Sequence, residues 1–423
     1  MRLTIGDWRL ASMRTRPVLA LGLWLLASAL PCCAQSFYNS RGLGEVTPAG
    51  EARVAGLAEP SALSTLNPGI FVGLNQTSFH VTALAVAALG TQGSNTRLLQ
   101  DARPGAFNVA TPLPLGARLF GGINQKFSQD FDVWSESLSD TAYRRHIIGR
   151  GGIYALRAGL AKSFFNRVCI GGEYNRVLGG SRENWRFEAE NGGATSTDTI
   201  EVDYAGNTLK LGGSYQDRFF SLAGYYEPPL SLTARRYKRV HGVIDDTARL
   251  YEISLPESYS LAAAARPTDR IGIDLGLTVY PWHDATITFN DTTSSLGYRN
   301  AWRGSIGAEY EIDSLHPIRV GYSQQTWYYN ASFYEFDTTE QPSALVQVPS
   351  SISERGVHIG TSIPIPKFGA LDLSGEILYR SSQAPSSDLA PAGPTSLGEF
   401  AGRLMLTLSY SEAWTRRTRR WGY

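Results

Sequence analysis

The sequence predicts an all-β chain: a transmembrane β-barrel of about 14 antiparallel strands closed around an N-terminal plug (hatch) in its lumen. Three observations predict it. Apolar and polar residues alternate with period two after residue 70. The connections between the alternating runs are short and long in turn. The stretch Gly42 to Gly69, GLGEVTPAGEARVAGLAEPSALSTLNPG, is small-residue-rich and reads as neither helix nor strand.

Composition sets the outer limits. The 423 residues carry 39 basic against 38 acidic side chains, a balance that excludes a nucleic-acid partner held by bulk charge. Glycine (43) and tyrosine (21) are plentiful, while cysteine and methionine number three each. That profile suits twisted antiparallel sheet better than a helical enzyme core.

The N-terminus comes first. A basic region ending Met13-Arg-Thr-Arg-Pro precedes a 13-residue apolar run, Val18 to Leu30, and then Pro31-Cys-Cys-Ala-Gln35. This is a secretory signal over residues 1–34, cleaved after Ala34, with Met13 a possible true start. A lipoprotein reading of Cys32 or Cys33 fits less well, because Leu30-Pro31 is a poor match to the small residues that precede a lipidated cysteine. Cys169 is then left alone, with no disulfide framework. The plug is assigned to residues 35–70. Nothing after it offers the run of about 18 apolar residues that a spanning helix needs, so the chain crosses a membrane as strands or not at all.

The barrel is assigned to residues 71–414. Ile271, Ile273, Leu275, Leu277 and Val279 share one strand face, against Gly272, Asp274, Gly276 and Thr278 on the other. Leu404, Leu406, Leu408 and Tyr410 repeat the pattern near the C-terminus, as do Leu371, Leu373, Ile377 and Tyr379. A soluble sandwich would also alternate. The polar face, however, carries formal charges at mid-strand: Arg118, Arg157, Asp274, Arg303, Glu309, Arg319 and Glu376 among them. They are assigned to the wet lumen of a barrel whose lipid face must be apolar. Arg303 and Arg319 lie close enough to Glu309 in this reading for a salt-bridge network.

Short connections fall near 112–116, 164–167, 216–218, 267–270, 313–317 and 366–369. Long polar stretches lie between them, at 89–104, 132–150, 186–200, 237–250, 283–297, 331–352 and 381–396. Short periplasmic turns and long external loops in alternation describe an up-and-down outer-membrane barrel and give the strand count. Aromatics beside the turns, including Phe164-Phe165, Phe219-Phe220, Tyr225-Tyr226, Trp282 and Trp327-Tyr-Tyr329, read as interfacial girdles. A basic tail, residues 415–423, follows the last strand and is placed in the periplasm.

The plug carries a resemblance. Gly42-Leu-Gly44, the small-residue stretch Gly50 to Gly56, and Asn67-Pro68-Gly69 resemble the N-terminal signature of the FadL-like outer-membrane transport proteins. That signature is a GxG element, a small-residue stretch, and an Asn-Pro-Ala motif leading into the first strand; here Gly69 replaces the alanine. The related PorV-like barrels share it. The resemblance implies passive uptake of hydrophobic small molecules, such as long-chain fatty acids or aromatic hydrocarbons, through a plugged lumen. It implies an outer-membrane location in a Gram-negative-type bacterium. Expected partners are outer-membrane lipids, the hydrophobic ligand and, during biogenesis, the barrel-assembly machinery. The alternatives are a PorV-like accessory barrel working with a secretion component, and a structural barrel. Loop aromatics Trp134, Trp185, Tyr328 and Phe333 are the candidates for ligand capture. No catalytic motif, metal-ligand spacing or cofactor site is present, and an enzyme is not expected.

Overall fold

A computed structural model of the chain describes residues 36–412, apart from 41, 48–49, 93–94, 137–142, 190–195, 241–242, 313–315, 331–350, 366–368 and 384–395. The proposed signal segment, Phe333 and the basic tail lie outside the described residues.

The described chain forms a closed 14-strand antiparallel barrel. Its strands are β1 (Thr77–Gln92), β2 (Asn95–Pro112), β3 (Ala117–Ser128, resuming as Phe131–Glu136), β4 (Tyr143–Phe164), β5 (Val168–Ala189) and β6 (Ser196–Gln216). Next come β7 (Phe220–Glu227 and Leu230–Val240), β8 (Ser258–Thr268, preceded by Val243–Leu255) and β9 (Ile271–Pro281). The circuit is completed by β10 (Asn300–Glu311), β11 (Pro317–Asn330), β12 (Ser351–Ile365), β13 (Gly369–Gln383) and β14 (Ser396–Glu412). Pairing of β1 with β14, from Thr77↔Glu412 to Gln92↔Leu397, closes it. Closure leaves no edge, the condition for placing strands in lipid.

The period-two pattern decides which side faces where. Leu156, Leu160, Ile170, Leu209, Leu211, Leu261, Leu275, Ile306, Val357, Ile359 and Ile377 are all exposed and outward. Arg157, Glu173, Lys210, Glu309, Arg319, Glu376 and Arg403, on the opposite faces, are buried inside. An apolar exterior over a charged interior is the inverse of a soluble protein and suits a bilayer. Short turns close one end. At the β4–β5 turn, Phe165 and Asn166 both adopt φ of 53°, and Arg167 N bonds Phe164 O at 3.1 Å, which is the two-residue hairpin geometry that matches strand twist.

The long connections differ from expectation. Most of the stretches read as loops are paired strand. Gln92↔Asn95 closes β1 and β2 almost directly, and β4 and β5 stay in register out to Tyr143↔Ala189. β5 runs for 22 residues. At ~3.3 Å per residue and a tilt near 40° it rises roughly 55 Å, about twice a ~25 Å apolar band. Its upper half therefore stands above the membrane, where both faces meet water. The apolar alternation stops there while the hydrogen-bond ladder continues. A further hairpin, Thr286–Phe289 with Thr292–Ser295, adds to the upper part of β8.

Inside lies the N-terminal segment, residues 36–72. It holds two short 3₁₀ turns, a two-residue strand and the helix Ala52–Ala55. Ser36 bonds Glu399 on β14, and Tyr38 Oη lies 3.0 Å from Ser382 Oγ on β13, both near the upper ends of those strands. Lower down, Ala52 N donates to Thr407 on β14 and Asn67 Nδ2 to Gly213 O on β6. The segment thus descends through the lumen, touching the wall on every side.

Candidate functional site

Three arrangements make up the site: the seat of the N-terminal segment, the charge network that fixes it, and a cavity beside it.

Small residues make the seat. Gly44, at φ +86°, has no room for a Cβ against the Ser128 carbonyl, because Glu45 and Val46 pair with β3 at Ser128 and Phe127. The Asn67-Pro68-Gly69 turn presses on β5 and β6. A Cβ on Gly69 would overlap Gly213, and one on Gly171 would overlap the Pro68 carbonyl. Asn67, fully buried, closes the turn by accepting from Gly69 N at 2.9 Å, while its amide donates to Ala62 O (2.8 Å) and Gly213 O (3.2 Å). The composition of the segment follows from this contact: large side chains would hold it off the wall.

Charges fix it at several points around the wall, most densely at β12 to β14. Arg380 on β13 donates to Glu45 of the segment, to Glu354 on β12 at 2.6 Å and to Glu399 on β14 at 2.7 Å, with its guanidinium 4.9 Å over the Trp327 ring. Arg403 also meets Glu45. Arg303 on β10 reaches Glu59 of the segment at 2.7 Å. Arg319 pairs with Glu309 at 2.6 Å. Arg157 donates to Glu173 and to the Thr65 carbonyl, both at 2.7 Å. The expected Arg319–Glu309 link is present; Arg303, assigned to the same network, is turned to the segment instead. Asp274 faces inward near Arg53 and Arg266, and Arg118 is buried against its own turn.

The cavity lies between the segment and the wall, has a volume of about 110 Å³ and is partly open. Glu59, Ser61 and Leu66 of the segment border it below, and Glu45, Val46 and Thr47 border it on another side. Phe127, Tyr225, Leu230, Leu255, Tyr280, Trp282, Trp302, Trp327 and Tyr328 supply aromatic and apolar surface. The cations on its border are already engaged: Lys126 with Glu227, Lys210 at 3.5 Å from Glu173, Arg157 with Glu173, and Arg303 with Glu59. What the cavity offers a ligand is mainly aromatic surface over a neutralised polar lining.

The cavity meets the wall where the wall is broken. β7 stops at Glu227 and resumes at Leu230; β8 has the matching break between Leu255 and Ser258. Below the break β7 pairs with Ser258–Ala265, and above it with Val243–Leu255. On the other side, β6 pairs with Ser221–Tyr226 below and Ser231–Arg239 above. Pro228, Pro229 and Pro256 occupy the interruption, and proline has no N–H for the ladder. Glu227, Pro228, Leu230, Leu255, Pro256 and Ser258 all line the cavity.

Of the four residues assigned to ligand capture, the cavity includes Tyr328. It is not on a loop: it sits on β11, buried, with its hydroxyl accepting from Leu43 N (3.0 Å) and donating to Gly44 O (2.6 Å). Trp134 lies on the upper part of β3 opposite His146; Trp185 lies on upper β5, where its Nε1 donates to Glu183 at 3.0 Å, away from the cavity. The girdle assignment of Trp282 and Trp327–Tyr329 is also corrected. They turn inward and form a buried aromatic cluster with Tyr38, Phe127 and Tyr298. Phe219 and Phe220 do face outward beside a turn. The prolines went unread, though a Pro-Pro pair inside an alternating run marks a broken strand.

Comparison with known proteins agrees with this architecture. No family model and no curated protein matches the chain. Among solved structures, it resembles a FadL homologue from Pseudomonas aeruginosa at 11% identity and a TM-score of 0.58, over 90% of this chain and 99% of that one. The P. putida toluene transporter TodX matches at 14% identity and 0.53, over 89% and 99%. The CymD monoaromatic hydrocarbon channel matches at 13% and 0.52, over 88% and 99%. At these identities the shared property is the fold.

Proposed function

We propose that the protein is an outer-membrane channel for passive uptake of hydrophobic small molecules, long-chain fatty acids or aromatic hydrocarbons, with residues 36–72 acting as its plug. The observation that carries this reading is the aromatic-lined cavity between plug and wall, opening on the interruption in β7 and β8. An apolar solute gains free energy on leaving water for such a surface. It gains again on leaving the cavity for lipid, so no coupled energy source is required. The three structural neighbours point the same way, since the names of two state a hydrocarbon channel or a toluene transporter. The paired cations favour uncharged hydrocarbons over carboxylates, because no guanidinium or ammonium on the cavity border stands without a carboxylate.

The test is uptake by proteoliposomes of a radiolabelled monoaromatic hydrocarbon and, separately, a radiolabelled long-chain fatty acid. Faster entry of at least one than into empty vesicles supports the proposal. Equal rates for both, together with a secretion component co-purifying with the detergent-extracted protein, would favour the accessory-barrel reading instead.

A further inference from the structure

Where the plug turns beneath β10 to β13, the structure holds a group of acids with more carboxylate oxygens than donors. The helix Ala52–Ala55 is followed by a turn in which Ala58 and Glu59 both lie in the left-handed region at φ of 62° and 63°, with Ala58 N on Ala55 O and Glu59 N on Val54 O. Non-glycine residues in this region are held by their surroundings. The turn delivers the Glu59 carboxyl, 2% exposed as a residue, onto Glu376 of β13, 3% exposed, within hydrogen-bonding reach. Yet Glu59 Oε1 and both oxygens of Glu376 receive no donor among the described residues.

We infer that Glu59 and Glu376 share one proton when the plug is seated, so that seating the plug is a proton-binding event.

Two ionised carboxylates in contact, away from water, repel and cannot hydrogen-bond; one proton between them supplies the missing donor and a strong O–H···O⁻ bond. The surrounding groups do not remove the need. Among these carboxyls Arg303 on β10 reaches Glu59 Oε2, at 2.7 Å, and its other donation goes to Gln325 Oε1 at 3.2 Å. Arg403 on β14 stays 3.5 Å from Glu376 Oε2, and Arg380 on β13 is spent on Glu45, Glu354 and Glu399. From β12, Glu354 adds a further negative charge, with its Oε1 unpartnered. His358, also on β12, points Nδ1 at Glu376 Oε1 from 3.8 Å, beyond a hydrogen bond, while its Nε2 lies 2.8 Å from Ser323 Oγ. Three guanidinium groups thus face five carboxyl groups in a closed space. A metal ion is not the remedy, since no group of three or more suitable ligands gathers among the described residues.

The sign of the pH effect follows. Burial pushes the Glu59 carboxyl up from 4.5 to about 8 in the seated plug. A displaced plug would return it to water and to the ordinary value. A raised carboxyl favours the seated state fully below 4.5, and that preference is lost as pH rises toward about 8. Across this window the seated-to-displaced ratio falls by up to about tenfold per pH unit, levelling above it.

The experiment uses the full-length protein in lipid. An infrared pH titration of the wild type is expected to show a protonated-carboxyl C=O band persisting above about pH 6, where ordinary glutamates are ionised, and vanishing near pH 8. The band should be missing from E59Q and from E376Q. No such band in the wild type would overturn the inference without reference to any variant. In planar bilayers, the wild-type opening frequency should rise with pH across the same window. E376Q, whose amide donates to Glu59 without a proton, should stay closed and flat with pH. A slope in both variants equal to the wild type's would overturn it, whatever the transported molecule turns out to be.

Discussion

The two sides of the lumen are built differently. Along β12 to β14 the N-terminal segment is tied by charge and hydrogen bonds: Arg380 and Arg403 hold Glu45, Ser36 bonds Glu399, and Thr407 takes the Ala52 amide. Along β7 and β8 the segment makes mainly apolar contact, Ala62, Leu63 and Ile70 against Ala223, Ala262 and Tyr225, with Ser61 hydrogen-bonded to Tyr225. Above that apolar contact lies the cavity, and behind the cavity the wall itself is interrupted. One side anchors and the other yields. In the proposed channel, a segment held less tightly along β7 and β8 than along the rest of the wall leaves a route on that looser side.

The comparison is broken most severely by removing the anchor. Arg380→Met would strand Glu354 and Glu399 in a dry site and leave Glu45 to Arg403 alone, at a cost of about 3–5 kcal/mol. The expected outcome is a displaced plug, read as a large rise in ion conductance in planar bilayers. Asn67→Ala removes both the turn's internal bond and the tie to Gly213, leaving buried carbonyls without donors, at about 1–3 kcal/mol. Its signature is protease sensitivity near residue 67 in an otherwise intact barrel. On the yielding side, Pro228→Thr with Pro229→Thr would give β7 back its N–H groups and let the ladder close. Hydrocarbon uptake should fall about tenfold if one or two new bonds, each near 0.5–1.5 kcal/mol, resist opening, and ion conductance should not change. Unchanged uptake would mean the interruption is not on the route. Tyr328→Phe is the mildest: it loses the bonds to Leu43 N and Gly44 O, worth about 1 kcal/mol, and should slightly raise brief openings.

The anchoring and yielding sides were not equally legible. The barrel could be read because lipid enforces period two on the outer face, as Ile271 to Val279 and Leu404 to Tyr410 illustrate. The lumen charges could be read for the same reason, being the other half of the alternation. The glycines of the N-terminal segment were visible, but their reasons lie in packing, Gly44 on the Ser128 carbonyl and Gly69 on Gly213. Three things were hidden. Strands above the membrane have two wet faces and lose their alternation, so the upper parts of β4 to β8 look like loops. An aromatic near a strand end can turn either way, and the lack of a clear pattern at Trp327-Tyr-Tyr329 left girdle and lumen undecided by sequence. The pairing of Arg303 with Glu59 joins residues remote in the chain, and no local signal announces it.

The central claim is that hydrophobic molecules occupy the aromatic-lined space beside the plug. Trp282 and Trp327 border that space, which makes their fluorescence the most direct probe. Titrating the detergent-solubilised protein with a brominated aromatic hydrocarbon should quench tryptophan emission in a saturable way. The Trp282→Phe/Trp327→Phe double variant, folded and heat-modifiable like the wild type, should lose most of that saturable quenching. Saturable quenching that survives intact in the double variant, or none in the wild type, would contradict the account.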